Sequence, residues 1–165
     1  MLARIEACIP ALRRHAFALL CDQQAADRLV HDCLSRALDA LHTPRDDGDI
    51  RVWLFAIMHN LFVSQGRRAR ADAKAFDDTG GSSSTTAHGQ DNTPQWSKLA
   101  RELNGLPNEQ RAAILLICVE DLAYAEAARV LGVSVESVMF QLACAREHLR
   151  RASQEEARPS LRRIK

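Results

Sequence analysis

Residues 71–95 read "ADAKAFDDTGGSSSTTAHGQDNTPQ". Gly, Ser, Thr, Asp and Asn dominate the stretch, and almost nothing in it can be buried. It predicts a flexible linker, which confines whatever folds to two short flanks. Its one Lys against four Asp gives −3, while 1–70 and 97–165 each come to about +2. The charge therefore runs basic domain, acidic tether, basic domain.

The first flank reads as helix throughout. Pro10 suits the first turn of a helix running to about Leu20, with Leu12, Ala16, Leu19 and Leu20 on one apolar face. Asp22 is placed to cap a second helix. There Ala26, Leu29, Val30, Cys33, Leu34, Ala37, Leu38 and Leu41 repeat at three- and four-residue steps. Pro44 and Gly48 end that pattern. Asp49 can cap a third helix, "IRVWLFAIMHNLFVSQGRRARA", whose apolar stripe is Trp53, Leu54, Ile57, Met58, Leu61 and Phe62. Its end carries Arg67, Arg68 and Arg70. Such residues either compensate the helix dipole in solvent or hold phosphates.

The second flank opens with a helix near Trp96 to Leu103. Pro107 starts another, with Ala112, Leu115, Leu116 and Val119 inward. The short segment "YAEAARVL" precedes Gly132, which supplies a left-handed turn, and Ser134, which caps a last helix. Val138, Leu142, Ala145 and Leu149 form its inward face. Helix, Gly turn, Ser cap, helix is a helix-turn-helix pattern. After Ala152 the chain is polar and expected to fray. The reading is all-α: two small helical domains, 1–71 and 96–152, joined by a linker over 72–95 and followed by a tail over 153–165.

Aromatics are only 5% of residues while Ala, Leu and Arg are frequent, which also favours helices over sheets. Net charge is +1, so any nucleic-acid function must rest on local patches. The five Cys include no CxxC, and they read as reduced thiols of a cytoplasmic protein. His31 and Cys33 are too close in sequence to share one helical face as metal ligands. Neither metal nor cofactor is expected. No 18-residue apolar run or signal-peptide pattern is present, so no membrane insertion is expected. Nor is an enzyme: there is no Gly-rich phosphate loop, nucleophile motif or paired-carboxylate pattern.

Taken together, "AADRLVHDCLSRAL", "RVWLFAIMHNLFVSQGRRAR" and "LPNEQRAAILLICVEDLAYAEAARVLGVSVESVMFQLACAREHLR" resemble a bacterial sigma factor of the extracytoplasmic-function type. The resemblance covers about residues 5–70 and 97–152. Its most specific part is Trp-Leu with a following Ile and Asn, then Arg-Arg, set ahead of a linker and a helix-turn-helix. It implies a protein that binds core RNA polymerase, at the β′ clamp and β flap, and directs initiation at promoter DNA. It also implies an anti-sigma factor as partner. The first string is similar to region 2.2, which docks on the clamp, and there Asp27, His31, Asp32, Ser35 and Arg36 give a polar face. Asp32 matches the family's acidic position best. The second is similar to regions 2.3 and 2.4, which open and read the −10 element. Trp53, Asn60, Arg67, Arg68 and Arg70 are the matching positions, with Trp53 read first as a core residue. The third is similar to region 4, which reads the −35 element, and the candidates there are Arg129, Ser134, Ser137, Met139, Phe140, Gln141 and Arg146.

This last helix departs from the family. Glu136 and Ser137 replace Gly-Thr, Phe140 and Gln141 replace Ser-Arg, and Cys144 stands where Arg is common; Ser64 occupies a place often held by Asp. Between Ser134 and Arg146 there is no Lys or Arg. Guanine readers are usually Arg, and phosphate contacts supply much of the affinity for DNA. The expectation is weak or altered −35 contact. Two other functions remain open: a sigma-like protein that sequesters an anti-sigma factor, and a helix-turn-helix repressor independent of polymerase.

Overall fold

Side-chain caps place three of the six described helix starts where the sequence puts them. In the computed structural model, residues 1–40, 49–77 and 100–156 are described. Among them all regular structure is helical: α1 (Leu2–Leu20), α2 (Gln23–Asp39), α3 (Ile50–Asp77), a helical turn over 100–104, α4 (Asn108–Cys118), α5 (Tyr124–Leu131) and α6 (Val135–Glu156). The Asp22 carboxylate accepts the Ala25 N–H at 2.6 Å and starts α2. Asp49 accepts the Arg51 N–H at 2.8 Å at the head of α3. Ser134 Oγ accepts the Ser137 N–H at 3.2 Å at the head of α6. Each satisfies a donor that the first helical turn leaves unpaired. Gly132, at φ 67°, takes the left-handed conformation that ends α5, and α5 and α6 then meet at 97°. That is helix-turn-helix geometry.

Four expectations need correction. Pro10 does not open α1; the helix begins at Leu2 and Pro10 lies inside it. A proline there removes one helical bond and leaves the Glu6 carbonyl without its donor. Glu6 and Pro10 are both exposed, so water can serve that carbonyl, while buried Ile5 fastens the earlier turns to the core. Leu38, expected inward, is exposed, because one step beyond buried Ala37 turns it about 100° away. Val119 is also exposed, since α4 ends at Cys118 and the chain turns there. Finally, α3 continues through residues 72–77, into the stretch read as linker. Extending a formed helix needs no new nucleus, and Ala73 and Ala75 are strong helix formers. Leu41, Pro44, Gly48, the rest of the linker and the end of the tail lie outside the described residues.

Within the first half, α1, α2 and α3 pack together, and within the second α4, α5 and α6 do. The packing does not stop there. α1 also lies against α4 and α3 against α5, and the buried side chains of both halves form one continuous cluster. Phe55 is central to it. Its ring meets the edge of buried His15 at 5.0 Å between centroids, and the Arg51 guanidinium carbon lies 5.7 Å above it.

Candidate functional site

The core positions of α2 (Ala26, Leu29, Val30, Cys33 and Ala37) turn the intervening residues outward. Asp27, His31, Ser35 and Arg36 are exposed, and Asp32 is half-buried at the edge of this face. Asp32 borders α3, where the Gln65 side-chain amide donates to its carboxylate at 3.4 Å. Asp27 accepts a hydrogen bond from Gln23 at 3.1 Å. Cys33 faces the other way: its thiol contacts the Leu54 carbonyl at 3.4 Å, and burial pushes its pKa up to about 12. His31 and Cys33 thus lie on opposite sides of α2. Among the described residues no group of His, Cys, Asp or Glu is placed to hold a metal ion.

On α3, burial of Val52, Leu54, Phe55, Met58, Leu61 and Phe62 covers a wide arc and leaves one narrow stripe. Trp53, Asn60 and Arg67 are spaced by seven residues, so they drift only about 20° per step and share that stripe. Trp53 is half-buried and packs against the core from its edge, while Asn60, Arg67 and Arg68 are exposed. Trp53 therefore joins both roles open to it, packing and rim of the stripe. Arg70 lies on α3, with only its backbone described. Aromatic edge, amide and guanidinium in line on one face suit a nucleic-acid strand: a ring for stacking, an amide for hydrogen bonding, cations for phosphates.

The outward face of α6 is of a different kind. Met139 and Phe140 are 54% and 65% exposed, and Val133 in the turn before them is exposed too. Glu136 is exposed, and hydrogen bonds from its own backbone N–H and from the Ser134 hydroxyl hold its carboxyl below the usual carboxylate range. It is anionic at neutral pH. Ser134 and Ser137 hydroxyls bond each other at 3.2 Å, so both are engaged in the cap. Gln141 is half-buried, turned from Phe140 toward the packed side. Arg146 is exposed and reaches the Cys118 sulfur at 3.9 Å; Arg129 is exposed on α5. Further along, Arg150 and Arg151 both pair with Glu147, at 2.8 Å each. Along α6 the −35 candidates spread over a wide arc at about 100° per residue, and the helix carries no Lys or Arg before Arg146.

A second group of residues escapes a reading of the sequence. Glu120, in the turn between α4 and α5, has a fully buried side chain. Arg14 of α1 meets its two oxygens at 3.0 and 2.7 Å, and Arg51 of α3 reaches one of them at 3.1 Å and the Glu120 carbonyl at 2.6 Å. The Glu120 hydrogen bond raises the Arg14 pKa still further. Arg111, also buried, donates to the carbonyls of Leu19 at 2.7 Å, Asn104 at 2.9 Å and Leu106 at 3.2 Å. The one available signal is that charged residues are almost never buried unless paired. Glu120 falls between inward Leu116 and Leu122, but its partners lie 69 and 106 positions away. His15 is buried as well, and burial, with nearby His59 and Arg14, lowers its pKa to about 3.

No single helix among the described residues is long and apolar enough to cross a membrane; the bent pair that passes by length and composition is α5 with α6.

Comparison with known proteins follows the two halves. Residues 5–59 match the family described as the sigma2 domain of PhyR, and residues 97–149 match sigma-70, region 4. The chain is 30% identical over 145 residues to the "ECF RNA polymerase sigma factor EcfG" of Rhodopseudomonas palustris (strain TIE-1), covering 88% of this chain and 80% of that one. Among solved structures it is similar to the sigma factor RpoE of Bartonella quintana, in complex with the anti-sigma factor NepR. That similarity has a TM-score of 0.77 at 27% identity, over 91% of this chain and 94% of that one. The fold also resembles the anti-anti-sigma factor PhyR of Bartonella quintana, complexed with NepR. There the TM-score is 0.62 at 23% identity, over 93% of this chain and 49% of that one.

Proposed function

The chain belongs to the extracytoplasmic-function RNA polymerase sigma factors, and on that premise we propose that α2 docks it on core polymerase while α3 carries most of its contact with the promoter. Sigma factors direct transcription initiation and are not enzymes. In this reading residues 1–71 are the polymerase-docking and −10 domain. Residues 96–152 are the −35 domain, which also meets the β flap. The face of Asp27, His31, Asp32, Ser35 and Arg36 meets the β′ clamp. Trp53 and Asn60 hold unstacked bases, and Arg67, Arg68 and Arg70 hold phosphates. The contribution of Arg129, Ser134, Ser137, Met139, Phe140, Gln141 and Arg146 to −35 binding is small. An anti-sigma factor restrains the chain until a stress or signal releases it, as the complex of the similar sigma factor with NepR supports.

The observation that carries the reading is the stripe of Trp53, Asn60 and Arg67, on the narrow arc of α3 that its buried residues leave uncovered. Run-off transcription with purified core polymerase, on the DNA upstream of the chain's own coding sequence, tests it. A promoter-dependent transcript is expected. Failure to bind core enzyme at all would sink the reading.

The apolar, anionic start of α6, with the match to the sigma2 domain of PhyR, favours a second reading, a sigma-like protein that sequesters an anti-sigma factor. Such a protein need not bind core polymerase, so the same binding measurement separates the two.

A further inference from the structure

Val138, Leu142 and Ala145, with half-buried Leu149, fix which way α6 faces. At about 100° per residue, the opposite side carries Glu136, Phe140, Ala143, Glu147, Arg150 and Arg151. Glu147 is half-buried and the other five are exposed. Met139 flanks Phe140, and Val133 is exposed in the turn before the helix. A ring and a thioether left together in water mark a surface that meets protein, where aromatic residues and Met are enriched.

The order of these residues along the helix narrows what that protein is. Glu136 is the only charge from Val135 to Ala145. Phe140 follows one turn on and small Ala143 after it. Then Arg150 and Arg151 both bond Glu147, a cluster that keeps one net positive charge. Anion, large ring, small residue, cation is a series complementary to its own reverse. Two copies related by a twofold axis meet through one patch, residue i on j and j on i. Positions 136 and 150 each lie seven residues from 143. With the axis at Ala143, Glu136 therefore falls opposite the partner's Arg150 and the cluster around it. Phe140 packs along the partner's Ala143, whose small side chain admits the ring. Glu155 and Glu156 lie past the overlap, which ends where the partner's helix begins. A parallel pair would set Glu136 on its own copy and each arginine on its own copy, so charge selects the antiparallel one.

We propose that this face of α6 docks a second copy of the chain, through antiparallel α6 helices. The inference concerns the chain alone and stands whether or not polymerase is its partner. The pairing covers the helix assigned above to the −35 element, so a paired copy cannot lay it on DNA. The overlap is about seventeen residues, roughly 25 Å of helix. One helix face per copy puts the contact near or below about 1,200 Å² in total, the low end of specific interfaces. The pair is therefore reversible, with a dissociation constant on the order of tens of micromolar.

Sedimentation equilibrium of the full chain from about 5 to about 500 µM brackets that constant. The average mass is expected to rise from one chain toward two. Phe140→Ala removes both rings from the pair and should weaken it about tenfold or more. Glu136→Arg sets cation against cations, and Arg150→Glu with Arg151→Glu sets anion against anions; either variant alone should remain a single chain. Mixed in equal amounts, these two variants should pair again, since both seams then join opposite charges. All four positions are exposed, and circular dichroism establishes that each variant keeps its helices; where a charge variant does not, Phe140→Ala reads the same face. A wild type that stays a single chain at the highest concentration would overturn the proposal and leave the face to DNA or to another protein. Pairing undiminished by Phe140→Ala would place the contact elsewhere. Charge variants that pair no better mixed than alone would overturn the antiparallel order.

Discussion

α3 and α6 are the two helices assigned to promoter DNA, and they present opposite surfaces. α3 buries a wide apolar arc and leaves out an aromatic edge, an amide and arginines. α6 buries an equally regular stripe, Val138, Leu142 and Ala145, and leaves out Glu136, Met139 and Phe140. The inward residues explain why both are helices in the right place. Only the outward ones say what either could touch. In α6 the helix-turn-helix packing is present, and its outward face is apolar and anionic where that of α3 carries an amide and arginines.

The contrast can be broken most directly with two phenylalanines. Phe55→Ala empties a packed site beneath Arg51 and beside His15 and should destabilise the chain by about 3–5 kcal/mol. Phe140→Ala removes an exposed ring and should change stability by no more than about 0.5 kcal/mol. Urea unfolding measures both. Similar losses would mean that Phe140 is held by packing and is not a free surface.

Next comes DNA affinity. Replacing Arg67 and Arg68 together with Ala removes the two phosphate contacts proposed for them. It should weaken promoter binding on the order of thirtyfold near 0.15 M salt and flatten the log–log salt slope by nearly two. An unchanged slope in fluorescence-anisotropy titrations would make the basic stretch a solvated part of the helix.

The pH response sharpens the comparison from inside the first half. His15 has its pKa depressed to about 3 in the fold, against about 6.5 unfolded, so folding favours its neutral form. Its contribution is fully present above pH 6.5 and is lost as pH falls from there toward 3. At pH 5 the loss is about 2 kcal/mol. His15→Phe should reduce that acid sensitivity in unfolding curves at pH 7 and 5; His59, also depressed by burial, retains the remainder. Equal acid sensitivity in variant and wild type would rule His15 out as its source.

The smallest expected effect is a gain. Phe140→Arg with Glu136→Gln supplies a cation on the outward face and removes an anion. A −35 duplex should then bind about tenfold more tightly, the low end for one good contact. Weaker binding would show that Glu136 and Phe140 are themselves specific readers.

Much of this was legible in the sequence because it is local. Asp22, Asp49 and Ser134 cap the helices they precede, and Gly132 turns where a positive φ is needed. The face of α2 and the stripe of α3 follow from helical spacing. Local rules fail at Pro10, where anchoring by Ile5 carries a helix through a residue that ordinarily starts one. They fail more deeply at Glu120. Its partners are fixed by how two halves meet, and no spacing along the chain encodes that meeting. Buried Arg111 is missed for the same reason, since its main acceptor is a backbone carbonyl, which any residue at position 19 would offer.

The Glu120 contacts between the halves also bear on inheritance. Two domains joined by a linker resemble interchangeable cassettes, free to recombine with homologous halves. Here a graft that brought the second half without Arg14 and Arg51 would present a buried carboxylate to a surface that cannot receive it. A first half grafted alone would carry two arginines facing nothing of opposite sign. Substitutions at positions 14, 51 and 120 are thus expected to be accepted together or not at all, and the halves of this chain to descend as a single unit.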